Sequence, residues 1–180
     1  GQFDDGNDVL HGDQGQDWLF GGGGDDMLFA GYEDPGYTFV IGEKGDYVDG
    51  GAGNDRVEGG NRDDVLRGGS NDDVILGGSG IDQLFGDAGS DRLFGDAGTG
   101  SGINQSLVGQ RLFGGDGIDY LYGYSFSTSY APLGANSQLG HIGTESLLQG
   151  DEFHGGAGGD WIYGSFRRET FYGDGGNDTI

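Results

Sequence analysis

Nine-residue periodicity is the feature that most constrains how this chain can fold. Read in rows of nine, the sequence repeats Gly-Gly-x-Gly-x-Asp-x-U-x, where U is a large apolar residue. Rows include GDQGQDWLF from Gly12, GGGGDDMLF from Gly21, GGAGNDRVE from Gly50, GGNRDDVLR from Gly59, GGDGIDYLY from Gly114 and GGAGGDWIY from Gly155, ending with a truncated GDGGNDTI from Gly173. Fifteen rows fit the frame, beginning at residues 3, 12, 21, 30, 50, 59, 68, 77, 86, 95, 114, 123, 155, 164 and 173. Those beginning at 30, 95 and 123 are stretched to 20, 19 and 32 residues, and the frame resumes after each. A repeat this short cannot bury an apolar side chain by itself, so neighbouring rows must stack and share one continuous core.

Position eight tests the frame. It reads Leu10, Leu19, Leu28, Val48, Val57, Leu66, Ile75, Leu84, Leu93, Leu112, Leu121, Phe153, Ile162, Phe171 and Ile180, with no polar residue among them. The x-U-x triplet is therefore predicted to be a three-residue strand with U inward, and Gly-Gly-x-Gly-x-Asp the turn to the next strand. Glycine suits such turns because it takes positive φ without strain and lets backbones approach closely. Two rows then make one coil of 18 residues, with a strand on each of two faces and a turn at each of two edges. The predicted fold is all-β, a parallel β-roll with two rows per coil. All three stretched rows are even-numbered, which places the insertions, approximately residues 33–44, 99–109 and 125–148, on one edge. Both prolines, Pro35 and Pro132, lie inside them, as expected where strand pairing is not required. The first row lacks its opening glycines and the last stops before position nine, so residues 1–180 read as one repeat domain cut from a longer array.

Charge narrows what such an array can bind. Asp and Glu number 31 against 8 Lys and Arg, a net charge of −23. That balance disfavours nucleic acid and anionic membranes and favours cations. No apolar run approaches the roughly 20 residues of a spanning helix, and no secretory leader pattern opens the sequence. Without cysteine, neither disulfides nor thiolate metal sites are available. His11, His141 and His154 form no His-Glu-x-x-His, and neither Gly-x-Ser-x-Gly nor a phosphate-binding loop occurs. Paired acids such as Asp63 and Asp64 recur as consecutive turn residues rather than as a glycosidase pair. The chain reads as non-enzymatic, with any catalytic domain elsewhere in the parent protein.

Position six carries the chemistry. In odd-numbered rows it reads Asp8, Asp26, Asp55, Asp73, Asp91, Asp119, Asp160 and Asp178, an unbroken series along one edge. Asp is common in turns, where it caps local N–H groups, but like charges stacked at strand spacing repel strongly at low dielectric. A hard divalent cation between them removes the repulsion, and flexible coordination by carboxylates and carbonyls favours calcium over magnesium. The even edge is poorer, reading Asp17, Asp46, Asp64, Asp82, Gln110, Asp151 and Glu169, with Arg62 in place of a turn glycine. Some of its half-sites are expected to hold no ion.

These rows resemble the RTX (repeats in toxin) proteins of bacteria, whose nonapeptide binds calcium. The resemblance covers nearly the whole chain outside the insertions. It implies that each ion lies between turns two rows apart. The earlier turn gives its position-two and position-four carbonyls with its aspartate, and the later gives its position-one and position-three carbonyls with its own. Carried onto this chain, one site takes Gly51, Gly53 and Asp55 with Gly68, Ser70 and Asp73, and the next takes Gly69, Asn71 and Asp73 with Gly86, Ala88 and Asp91. The same rule implicates Asp8, then Gly22, Gly24 and Asp26 with Gly50 and Ala52. Further along it implicates Gly89 with Gly114 and Asp119, and Gly115 and Gly117 with Gly155, Ala157 and Asp160. The last site takes Gly156 and Gly158 with Gly173, Gly175 and Asp178, while Asp17, Asp46, Asp64, Asp82 and Asp151 serve the even edge. The resemblance implies roughly 8–12 calcium ions in all. It further implies export by a type I secretion apparatus and folding in calcium-rich medium outside the cell.

Position nine is rich in aromatic residues, with Phe29, Leu76, Phe94, Tyr122 and Tyr163 on the odd face and Phe20, Phe85, Phe113 and Tyr172 on the even face. Side chains alternate across a strand, so these point outward if U points inward. They are either cross-strand packing or a docking surface. Two functions therefore stand open. One is a calcium-dependent structural module of a larger secreted bacterial protein. The other is an adhesive or surface-layer segment that self-associates or meets a cell-surface glycan through its insertions and aromatic faces.

Overall fold

The structure, a computed structural model, describes residues 6–31, 44–96, 110–124, 150–164 and 169–180. Its strands form two parallel sheets of seven. One sheet contains, in order, β1 (Val9–His11), β3 (Met27–Phe29), β5 (Arg56–Asn61), β7 (Val74–Ser79), β9 (Arg92–Asp96), β11 (Tyr120–Tyr124) and β13 (Trp161–Tyr163). The other runs β2 (Trp18–Gly23), β4 (Lys44–Ala52), β6 (Asp63–Ser70), β8 (Gln83–Ala88), β10 (Arg111–Asp116), β12 (Glu152–Gly158) and β14 (Thr170–Gly176). Consecutive strands thus alternate between sheets, and each pairs with the strand two places on. This is the parallel β-roll that the nine-residue period predicts.

Register follows the apolar position. Leu10, Leu28, Val57, Ile75, Leu93, Leu121 and Ile162 are Cα partners in succession along the first sheet. Leu19, Val48, Leu66, Leu84, Leu112, Phe153 and Phe171 do the same along the second. Most are completely buried, and together with Ala30 they form one core cluster between the sheets, with Leu10 and Phe171 packed against it. A one-residue slip would turn this row to solvent, so burial fixes the pairing. Ile180 departs from the pattern at 66% exposed. Its row joins the first sheet through a bridge between Thr179 and Trp161.

The strands are longer than the expected triplet. β6 runs eight residues and most others five or more, because the ladder continues through the first three positions of the following row, as in Gly51 paired with Gly69 and Ala52 with Ser70. What bends the chain is narrower than a six-residue turn. Positive φ falls at position two and again at position four, as at Gly51 and Gly53, and at Gly115 and Gly117. Asn71 occupies position four at φ 83°, the left-handed geometry that Asn tolerates. Arg62 does so at 93°, where a bulky side chain is strained.

The insertions proper lie outside the described residues. Each stretched row nevertheless connects a strand of the first sheet to one of the second, from β3 to β4, β9 to β10 and β11 to β12, so all three leave from the same edge.

Truncating one buried rung should be costly. Leu66→Ala or Leu84→Ala should destabilise the roll by about 2–5 kcal/mol in chemical denaturation, because the stacked rungs on either side cannot collapse into the cavity. Trp18→Ala, at a side chain 75% exposed, should change stability by no more than about 0.5 kcal/mol.

Candidate metal sites

Each edge of the roll carries a ladder of buried carboxylates. Along the odd edge, Oδ1 of each position-six aspartate accepts the backbone N–H of the aspartate one coil earlier. Asp26 accepts from Asp8 at 2.7 Å, Asp55 from Asp26 at 2.8 Å, Asp73 from Asp55 at 2.7 Å and Asp91 from Asp73 at 2.8 Å. Asp119, Asp160 and Asp178 continue the series at 2.9, 3.0 and 3.1 Å. On the even edge Asp46, Asp64, Asp82 and Asp151 make the equivalent bonds. Local sequence sets this up: the strand that follows position six is pinned in parallel register, so each aspartate lies over its counterpart.

The second oxygen is the chemically informative one. Oδ2 of Asp26, Asp55, Asp73, Asp91, Asp119 and Asp160 on one edge, and of Asp17 and Asp64 on the other, is buried with no hydrogen-bond partner. The Asp73 side chain is 1% exposed, and Asp91, Asp119 and Asp160 are fully buried. Burial outweighs the stabilising backbone N–H and, with the neighbouring aspartates, pushes the carboxyl pKa up, to about 8 at Asp73, about 7 at Asp119 and about 6 at Asp55 and Asp91. Asp64 is raised too, by burial and then by the Asp82 charge. A buried, ionised and unpaired oxygen is among the most expensive groups a fold can hold.

What faces these oxygens is more oxygen. A Cβ on Gly50 would strike both Oδ2 of Asp55 and the carbonyl of Gly68, and the same holds for Gly86 with Asp91 and Gly114, Gly114 with Asp119 and Gly155, and Gly155 with Asp160 and Gly173. The position-one glycine therefore keeps open a small space between its own row's carboxylate and the position-one carbonyl of the next coil. Position-four carbonyls also stack: a Cβ on Gly53, Gly89 or Gly158 would meet the carbonyl of Gly24, Asn71 or Gly117. Among the described residues no three His, Asp or Glu side chains are placed to hold a metal by themselves. A cation here must take much of its shell from backbone carbonyls, which suits a hard ion with flexible coordination.

Gln110 makes the even edge different. It is fully buried; its Oε1 accepts the Asp82 N–H at 2.7 Å, and its Nε2 donates to the Gly80 carbonyl at 2.8 Å. Nearer the start of that edge the Arg62 guanidinium donates to the Gly15 carbonyl.

A second ladder, at position five, had no place in the sequence reading. Asn7 accepts the backbone N–H of Asp25, Asp25 that of Asn54, Asn54 that of Asp72, and Asp72 that of Ser90, at 2.8–3.1 Å. These bonds run forward to the next coil, whereas the position-six bonds run back. Adjacent residues thus clamp neighbouring coils in opposite directions. The available signal was the polar series Asn7, Asp25, Asn54, Asp72 and Ser90, whose members look individually like ordinary turn residues.

Most aromatic residues at position nine spend their faces on one another, whereas Phe20 is 54% exposed with its ring tilted against Tyr47. Phe85, Phe113, His154 and Tyr172 stack with centroids 4.9, 4.9 and 4.5 Å apart, and Phe94, Tyr122 and Tyr163 stack at 4.9 Å. Arg67 lies over Phe85 and pairs with Asp87. Stacked rings leave mainly their edges outward, which favours cross-strand packing over docking. His154 is built into this stack, between Glu152 and Asp174.

The raised carboxyl pKa values fix a pH dependence. Protonation stabilises the metal-free roll, and that stabilisation is fully present below the ordinary carboxyl value near 4 and is lost as pH rises through about 6–8. In chelator, the β-sheet circular dichroism signal should be strongest near pH 4 and fall steadily toward pH 8. A signal constant over that window would contradict the carboxylate geometry.

Comparison with known proteins agrees with the repeat geometry. A family model of the RTX calcium-binding nonapeptide repeat, four copies long, matches residues 4–31, 49–84, 67–101, 109–125 and 149–180. No curated protein and no solved structure matches significantly. With most of the chain matched and the family's nine-residue period built into both sheets, this chain belongs to the RTX calcium-binding nonapeptide repeat family, whose repeats bind several calcium ions.

Proposed function

We propose that this chain is a calcium-driven folding module of a larger secreted bacterial protein, unfolded where calcium is scarce and rolled up in calcium-rich medium outside the cell. The observation that carries this reading is the row of buried Oδ2 atoms without a hydrogen bond, those of Asp55, Asp91, Asp119 and Asp160 each lying across from a backbone carbonyl of the next coil. Without a cation the folded state confines its negative charges in register; with one, each gap gains +2 where the repulsion is greatest. Binding free energy then becomes folding free energy.

On the odd edge the ligands we assign are the position-six aspartates with the carbonyls of positions two and four in the earlier turn and of positions one and three in the later. Each interior aspartate, Asp73 among them, serves two ions. Residues 1–180 act as one such module, and export before folding follows, since a coil-like acidic chain passes a type I apparatus more readily than a stacked roll. The adhesive alternative gains no support from the aromatic faces, because their rings are already stacked.

Millimolar calcium should convert a coil-like circular dichroism spectrum into a β spectrum, with magnesium much less effective because it demands a tighter, more rigid shell. Asp73→Ala removes a carboxylate shared by two gaps; a lost charged partner is worth about 1–3 kcal/mol, so the calcium midpoint should rise on the order of tenfold. Met27→Ala, at an exposed strand side chain outside the turns, should leave the midpoint unchanged. A β spectrum that persists at neutral pH in excess chelator would overturn this function.

A further inference from the structure

Gln110 stands where the repeat places aspartate, and it does more than leave a site vacant. Its Oε1 accepts the Asp82 N–H as an aspartate Oδ1 would, so the inter-coil bond is preserved. Its own N–H donates to Asp151 Oδ1 at 3.0 Å, continuing the ladder. The difference is at the other terminal atom. An aspartate presents a second bare oxygen there, whereas Gln110 presents an amide N–H₂, and that group donates to the Gly80 carbonyl. Gly80 occupies position four of the row two places earlier, on the neighbouring coil, with φ 146°, and position four is one of the carbonyl positions assigned above to calcium.

We propose that the Gln110 side-chain amide replaces a calcium ion, closing the gap between the rows that begin at Gly77 and Gly95 as a metal-independent rung. This rests on the calcium reading of the other gaps. A primary amide is suited to the role because it carries acceptor and donor together: one end satisfies the neighbouring coil's N–H and the other satisfies the carbonyl that a cation would otherwise claim. It also removes one negative charge from a ladder where charge is the obstacle. Complete burial makes the exchange effective, since water does not compete for the Gly80 carbonyl.

Arg62 gives a second instance by different chemistry. Among the described residues it is the one bulky side chain held at positive φ in position four, and its guanidinium donates to the carbonyl of Gly15, also a position-four residue. A left-handed arginine is costly, and such strain persists where the surroundings compensate for it. Two of the departures from the repeat on this edge, Gln110 and Arg62, thus deliver an N–H donor to a position-four carbonyl.

Gln110→Glu is the closest test, because it keeps size and the accepting oxygen but exchanges the donor for a bare carboxylate oxygen. Ions should be counted by native mass spectrometry of the calcium-loaded full chain, beside wild type and Gln110→Met, which has neither donor nor charge. Gln110→Glu should carry one more calcium ion than wild type, and its β signal should need several-fold more calcium to appear. Gln110→Met should carry the wild-type number. Equal counts in Gln110→Glu and wild type, an added ion in Gln110→Met, or a Gln110→Glu chain that calcium cannot fold while wild type folds, would each overturn the proposal. A wild type that binds no calcium would overturn the underlying calcium reading itself, a result distinct from an unchanged count in a calcium-loaded pair.

Discussion

The structure depends on one half-satisfied carboxylate, repeated. At Asp55, Asp91, Asp119 and Asp160 one oxygen ties its coil to the coil before, and the other is buried without a hydrogen bond, across a small space from a backbone carbonyl of the next coil. The first oxygen makes stacking cooperative, since each rung uses a bond that exists only when its neighbour is present. The second makes stacking unfavourable unless a positive charge arrives. A fold built this way is conditional by construction. Its core contributes one apolar side chain per nine residues, too little burial to outweigh the entropy of a chain with 45 glycines unless the edges also contribute.

The remaining interactions divide the work between edges and faces. At the edges, position-five side chains bond forward and position-six side chains bond back, so two adjacent residues resist sliding in either direction. On the faces, stacked rings such as Phe85, Phe113, His154 and Tyr172 repeat the rung spacing and stiffen the sheet without drawing on the core. Between the sheets, the position-eight residues and Ala30 form one continuous core. Each layer uses the same register, so a single period of nine satisfies all of them at once. That consistency of local and global preference is what makes a repetitive chain fold to one structure.

How much of this the sequence revealed depended on whether the signal repeats. Leu28, Val57 and Ile75 are apolar at every turn of the frame, and Asp55, Asp73 and Asp91 are acidic at every turn, so core, sheet assignment and carboxylate ladder could all be read from spacing. The position-five ladder escaped because Asn, Asp and Ser share the needed acceptor without sharing a letter, and each alone suggests only a turn. Strand length escaped because pairing continues past Gly51 and Gly69 despite their positive φ, which a pattern of breaking residues conceals. Gln110 was legible as a departure from aspartate, but its donation to Gly80 depends on where a buried amide points, which no spacing encodes.

The most direct measurement of the central claim is anomalous diffraction from crystals of the calcium-loaded chain, collected where calcium scatters and mapped onto the two edges. The account predicts a line of peaks between successive odd-edge turns, each within coordination distance of consecutive aspartates such as Asp55 and Asp73, and no peak beside Gln110. Gaps between Asp55, Asp73 and Asp91 that hold no calcium in an ordered roll, with their Oδ2 atoms protonated or hydrogen-bonded instead, would contradict it.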